Sequence, residues 1–260
     1  MPLAAIYVVP HSPILLPSLR DDHQAKLQAT INAYEKLANQ LSGLNLDTLV
    51  IISNHDEKIN DAFSIQTRPS LVGDLKVFGD FATNVEVKVD LAFINQWQKI
   101  LREEFPIALI SDERLDHGVT VPIILLTKPG TRPKIIHLNS PGLPPAEMWS
   151  FGRSLGQILR RSTRRIGLVI SGDLSHALLK NSPAGYHPDG EKFDQLIMEV
   201  LDKQEFSKLL TLEAEFVNNA AQCIYEPLVV LGGILEGHPG AARILSYEAP
   251  LGVGMLVAEI

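Results

Sequence analysis

Two prolines bracket a histidine almost at the start of the chain, in Val8-Val9-Pro10-His11-Ser12-Pro13. The apolar residues 4–9 read as a short strand, and Pro10, with no backbone N–H and a fixed φ, stops that strand from continuing regularly. His11 is therefore expected at a strand's carboxyl end. Three later segments deliver a histidine in a similar way: Leu49-Val50-Ile51-Ile52-Ser53-Asn54-His55, Leu115-Asp116-His117-Gly118, and Leu168-Val169-Ile170-Ser171-Gly172-Asp173-Leu174-Ser175-His176. In open, mostly parallel α/β sheets the ligand crevice lies outside the carboxyl ends of the strands. Four of the eight histidines thus become candidates for one site.

The rest of the chain supplies the alternation such a sheet needs. Residues 24–41 carry Leu27, Ile31, Tyr34, Leu37 and Leu41 at helical spacing, and a strand at 48–53 follows, which makes a β-α-β unit with a parallel pair. Further helices are expected at 90–104, 145–160 and 191–203, with shorter helical stretches at 205–210 and 213–219. Strands are expected at 107–110, 134–138, 166–170, 243–248 and 252–258. Pro122 is placed in the first turn of a helix over 121–127, and Pro227 in the first turn of a buried helix that Glu226 opens. Residues 56–80 read as strands or loops over the mouth of the site, and 180–190 as a loop rich in Pro, Gly and Asn. The fold class is α/β, with a mixed, mostly parallel sheet flanked by helices on both faces. No repeat or linker divides the sequence, so residues 1–260 are expected to form one domain.

Thirty acidic residues against 23 basic ones give a charge of −7, which offers no general attraction to nucleic acid or to an anionic membrane. The run Arg160-Arg161-Ser162-Thr163-Arg164-Arg165 reads as a solvated helix end. A single cysteine, Cys223, excludes a disulfide framework within the chain and fits a reducing compartment. No charged leader opens the sequence and no run approaches the ~20 apolar residues of a membrane helix, so a cytoplasmic location is expected.

Two histidines and one carboxylate on one face of an ion, with the other positions open, form the arrangement of non-haem Fe(II) enzymes that activate oxygen. His11, His55 and Glu226 offer those atoms, and His117 and His176 remain as acid or base groups. Each alone has a bland reading, such as a turn residue or a helix-start carboxylate favoured by the dipole. His137, inside its strand, reads as a sheet-face histidine, and His23 and His238 as surface residues. Tyr186 and His187 sit where a lid would be. Ser175 lacks the G-x-S-x-G context of a hydrolase nucleophile.

Pro10-His11-Ser12-Pro13 with Leu15-Leu16-Pro17, Ser53-Asn54-His55, Leu115-Asp116-His117-Gly118-Val119-Thr120-Val121-Pro122, Ser171-Gly172-Asp173-Leu174-Ser175-His176 and Glu226 together resemble the class III extradiol ring-cleavage dioxygenases, specifically the catalytic B subunit of the protocatechuate 4,5-dioxygenase type. The resemblance implies Fe(II) held by His11, His55 and Glu226, with His176 as acid/base residue and His117 lining the pocket. It implies an aromatic diol or aminophenol and O2 as substrates; a homodimer is the base-rate expectation for assembly, with a small accessory subunit as the other option.

Two positions depart from that pattern. Asp173 stands where ring-cleaving members often have a second glycine, and Cys223 precedes Glu226 by three residues. Both resemble the Memo-like branch of the superfamily, which implies the alternative of a copper- or iron-binding redox or protein-binding protein without ring cleavage. Cys223 reads first as a small buried hydrophobe, and Asp173 as a partner that orients His176 or His55. A zinc-dependent hydrolase is a third option that the same ligand atoms permit.

Overall fold

The structure, a computed structural model, describes residues 3–55, 59, 61–238 and 240–260. The elements run β1 (Leu3–Val9), α1 (Gln28–Gly43), β2 (Thr48–Ser53), β3 (Phe63–Gln66), β4 (Ser70–Leu75), β5 (Asp80–Lys88), α2 (Leu91–Leu101), β6 (Ile107–Ile110), β7 (Arg114–Leu115) and α3 (His117–Leu126). They continue with β8 (Lys134–Asn139), α4 (Pro145–Arg161), β9 (Ile166–Ser171), α5 (Pro188–Lys203), α6 (Ala214–Asn219), α7 (Tyr225–Leu235), β10 (Arg243–Glu248) and β11 (Met255–Glu259).

Eight strands form one sheet in the order β10-β11-β1-β9-β2-β8-β3-β6, and β5-β4-β7 form a second, small sheet. The centre of the large sheet, β1-β9-β2-β8, is parallel throughout, and helices cover both faces. β2 and β9 are buried along their whole length, as their unbroken apolar sequences require of central parallel strands. The β-α-β unit differs from expectation in one respect. β1 and β2 run parallel but do not pair, because β9 lies between them and bonds to both.

Local physics accounts for most boundaries. Residues 24–27 wind as part of a 3-10 turn (Asp21–Leu27), so α1 begins at Gln28, with Ile31, Tyr34, Leu37 and Leu41 buried at the expected spacing. Asp90 caps α2 by accepting the Phe93 N–H, which leaves Leu91 as the first helical residue. β11 starts at Met255, since Gly252 takes φ 77°, outside a strand. Helices α4 and α7 meet backbone to backbone: a Cβ on Gly152 would lie 2.1 Å from the Val230 carbonyl oxygen, and one on Gly233 2.1 Å from that of Trp149.

The basic run is not simply a solvated helix end. The Arg160 guanidinium donates to the Ile234 carbonyl at 2.7 Å, closing the end of α7, and Arg164 pairs with buried Asp90 at 2.9 Å. Pro122 lies inside α3 rather than in its first turn, because that helix begins at His117. Among the described residues no helix is long and apolar enough to cross a membrane.

Candidate metal centre

Three parallel strands end side by side. Val9 of β1 pairs with Ser171 of β9, Ile170 pairs with Ile52 of β2, and beyond these pairs the chain delivers Pro10-His11, Gly172-Asp173 and Asn54-His55 at one sheet edge. His117 arrives differently from the expectation. The strand before it, β7, is only two residues long, and His117 is the first residue of α3, whose N-cap Asp116 accepts the Gly118 N–H. The rings of His11, His55 and His117 nonetheless converge, with centroids 4.6 Å apart for His11–His55, 5.2 Å for His11–His117 and 4.4 Å for His55–His117.

His11 is the buried centre of this group. Burial, reinforced by the neighbouring His55, His117 and His176, holds its imidazole well below the usual range, so it is neutral. Its backbone N–H donates to Asp173 Oδ1 at 3.0 Å, and its Nδ1 lies 3.0 Å from Ser171 Oγ. Gly118 leaves the necessary room, since a Cβ there would stand 3.3 Å from His11 Nδ1 and 2.7 Å from Asp116 Oδ1.

Cys223 faces His11 from the segment that leads into α7. Its Sγ is 3.2 Å from His11 Nε2 and accepts the Asp173 backbone N–H at 3.1 Å, so it has polar partners that a mere apolar filler would lack. Gly172 lets the two segments touch: a Cβ there would lie 2.7 Å from Ile224 Cα. Ala221, two residues earlier, holds φ 49°, a left-handed conformation that costs a non-glycine residue roughly 1–2 kcal/mol.

Two sets of potential metal ligands emerge among the described residues. One atom each of His11, His55 and Cys223 lies within 4.8 Å of the others, and so does one atom each of Asp173, His176 and Cys223. Neither set includes Glu226. That carboxylate is half-buried at the start of α7 and accepts a hydrogen bond from Asn54 Nδ2 at 3.2 Å, beside His55 in the chain. Asp173 is fully buried, and burial pushes its carboxyl up to about 6, against the pull of His176 and of the backbone N–H groups of His11 and Ser12. His176 Nε2 is 3.9 Å from Asp173 Oδ2. Burial also lowers His117, with Asp116 opposing and His176 adding to the shift.

Behind the site, His137 is buried as a sheet-face histidine should be. Its Nε2 is 3.0 Å from Ser53 Oγ and 3.9 Å from Asp116 Oδ2, so it braces the cap of α3. Ser175 is buried with its hydroxyl donated to the Ala220 carbonyl at 2.8 Å. His187 caps α5 through Nδ1, and Tyr186 is exposed. His238 is exposed, whereas His23 is half-buried in the 3-10 turn before α1.

The small sheet forms the mouth. His55 and His117 open onto a cavity of about 320 Å³ whose other walls include Val72 and Asp74 of β4, Val77, Phe78, Asp112 and Arg114. The Phe78 and His117 rings meet in a T-shaped contact, with centroids 5.2 Å apart. This agrees with the expectation that residues 56–80 cover the site, although Asp56, Glu57, Lys58 and Asn60 fall outside the described residues. Sequence reasoning gave no role to Ser171, Asn54, Asp116 or Phe78. The first three stand inside the quoted motifs, within two residues of a histidine or aspartate, and that placement is the signal that marks them.

A protein-family model described as the catalytic LigB subunit of aromatic ring-opening dioxygenase matches residues 5–258. The chain belongs to this family. Protein CA_C1420 of Clostridium acetobutylicum is 27% identical over 270 residues, a match that takes in all of this chain and 58% of that protein. The chain thus spans little more than half the length of that relative. A solved structure, an uncharacterized protein JW3007 from Escherichia coli K12, superposes with a TM-score of 0.69 at 19% identity over 99% of each chain, and so shares the LigB fold. The LigB membership fits the five ordered motifs and the position of the histidine cluster at the sheet edge.

Proposed function

We propose that this chain is a mononuclear metal oxidoreductase of the LigB family whose ion is held by His11, His55 and Cys223. The clustering of one nitrogen from each histidine and the Cys223 sulfur within 4.8 Å carries this reading. The donor set fits: His11 is buried and neutral, and imidazole with thiolate suits iron, copper or zinc rather than magnesium or calcium. When bound, an iron or copper ion would supply redox chemistry and Lewis acidity beside the open mouth.

The chain's own residues would do the rest. His117, kept neutral by burial, takes a proton from a substrate hydroxyl, and His176 holds a second proton site opposite Asp173. Asp173 fixes the backbone of His11. Phe78 offers an aromatic edge to a flat substrate such as a diol or aminophenol. A lone thiol of this kind persists best in a reducing compartment.

A second reading is Fe(II)-dependent extradiol ring cleavage with His11, His55 and Glu226 as ligands, His176 as acid/base residue and O2 as co-substrate. Family membership favours it, and so does the Asn54–Glu226 hydrogen bond, which keeps the carboxylate next to His55 in the chain. Anaerobic loading with Fe(II) or Cu(I) separates the two readings. A thiolate-to-metal charge-transfer band that Cys223→Ser abolishes supports the first. Oxygen consumption with a catechol or aminophenol panel that survives Cys223→Ser but not Glu226→Gln supports the second and refutes the first.

A further inference from the structure

The strongest unassigned feature is a chain of groups behind His11. Pro122 sits in the middle of α3 and has no N–H to give the carbonyl four residues earlier, which is that of Gly118. That carbonyl instead accepts the Ser171 hydroxyl. A carbonyl oxygen only accepts, so the single hydroxyl hydrogen of Ser171 is committed to this contact. Ser171 Oγ also lies 3.0 Å from His11 Nδ1, and with its hydrogen spent it can only accept there. His11 must therefore carry its proton on Nδ1, which leaves Nε2, the nitrogen 3.2 Å from Cys223 Sγ, with a bare lone pair.

We infer that Ser171 is a positioning residue that locks His11 in the Nδ1–H tautomer and so presents Nε2 as a ready metal ligand. Pro122 makes the lock possible by freeing the carbonyl that takes up the serine hydrogen. The tautomer follows from the hydrogen bonds alone, while its consequence for metal binding rests on the proposed role of His11 as a ligand. All three groups are buried: Ser171 is 0% and His11 1% exposed, and Pro122 lies in the core, so water does not compete for these bonds. A ligand histidine whose second nitrogen loses its partner typically forfeits 10–100-fold in metal affinity.

The test uses the metal-free 260-residue chain. Two-bond 15N–1H correlation spectra read the tautomer of His11, assigned by the signal missing from His11→Gln, in wild type and in Ser171→Ala. Chelator competition with Zn(II) then reads the affinity of both. The lock predicts an Nδ1–H pattern in wild type, a mixed or Nε2–H pattern in Ser171→Ala, and Zn(II) binding weakened by about 10–100-fold in the variant. An Nε2–H pattern in wild type overturns it, and so does an unchanged tautomer in Ser171→Ala. If the lock is seen but wild type binds Zn(II) without shifting the His11 signals, the tautomer stands and the metal-ligand reading of His11 fails.

Discussion

Cys223 Sγ stands 3.2 Å from His11 Nε2, although 212 residues separate them in the chain. The contact joins the end of the first strand to the start of α7, and it places the only thiol of the sequence among the histidines. A metal ion bound there would occupy the sulfur lone pairs. Iodoacetamide should therefore alkylate Cys223 in the metal-free protein and be blocked after loading with Zn(II) or Fe(II), as read by intact mass. Equal labelling in both states would count against Cys223 as a ligand.

Phe78 walls the mouth and packs against His117 with the two rings steeply inclined, at 71°. Aromatic contacts of this kind contribute about 0.5–1.5 kcal/mol beyond buried area. Phe78→Ala should weaken the binding of a catechol to the metal-loaded protein roughly 2–10-fold, while metal stoichiometry stays the same. Isothermal titration with and without the ring separates these effects, and an unaltered catechol affinity would remove Phe78 from the substrate site.

The α4–α7 contact predicts a stability effect remote from the chemistry. A Cβ on Gly152 would stand 2.1 Å from the Val230 oxygen, a backbone atom that cannot swing aside. Gly152→Ala should destabilise the fold by about 1–3 kcal/mol, the usual cost of overpacking. Thermal melting should show the loss, and the metal content per folded chain should not change.

Asp194 predicts a pH dependence. It accepts the Ser175 N–H at 2.8 Å and the Tyr247 hydroxyl at 2.7 Å, yet burial pushes its carboxyl up to about 6 from an ordinary 3.8. Between those values the folded chain holds a proton at Asp194 that the unfolded chain has released, so the contribution of Asp194 to stability falls as pH rises through that window and levels off above it. Asp194→Asn keeps an acceptor for Ser175 and should lose part of that fall in urea unfolding measured from pH 4 to 7. Asp173, raised for the same reason, adds to the fall, while His11 and His117, held below their ordinary 6.5 by burial, oppose it, so the variant is read against wild type. An identical pH profile in the variant would contradict the assignment.

The sheet was legible because its strands are either continuously apolar or stopped by Pro10, Asn54 and Gly172, and a strand's end in sequence is its end in space. The insertion of β9 between β1 and β2 was not legible, since local patterns carry no record of which strands pair. Pro122 was misplaced because its helix starts at His117, whose cap Asp116 follows a two-residue strand too short to show a period. His11, His55 and His117 could be grouped from their positions at element ends. The closeness of Cys223 to His11 could not, because it depends on Gly172 admitting the Cys223–Ile224 segment and on the left-handed turn at Ala221, both of which are tertiary facts. The role of Ser171 depends on which proton goes where, and that follows only once three segments are seen together.

The third ligand separates the two metal sites. Anaerobic Fe(II) titration of wild type, Cys223→Ser and Glu226→Gln, read by EPR of the nitric oxide adduct, asks for it directly. A thiolate site predicts that Glu226→Gln keeps a wild-type stoichiometry and that Cys223→Ser loses the signal or shifts it and weakens binding. A signal unchanged in Cys223→Ser and lost in Glu226→Gln would contradict the thiolate site and leave the ring-cleaving arrangement of His11, His55 and Glu226 in its place.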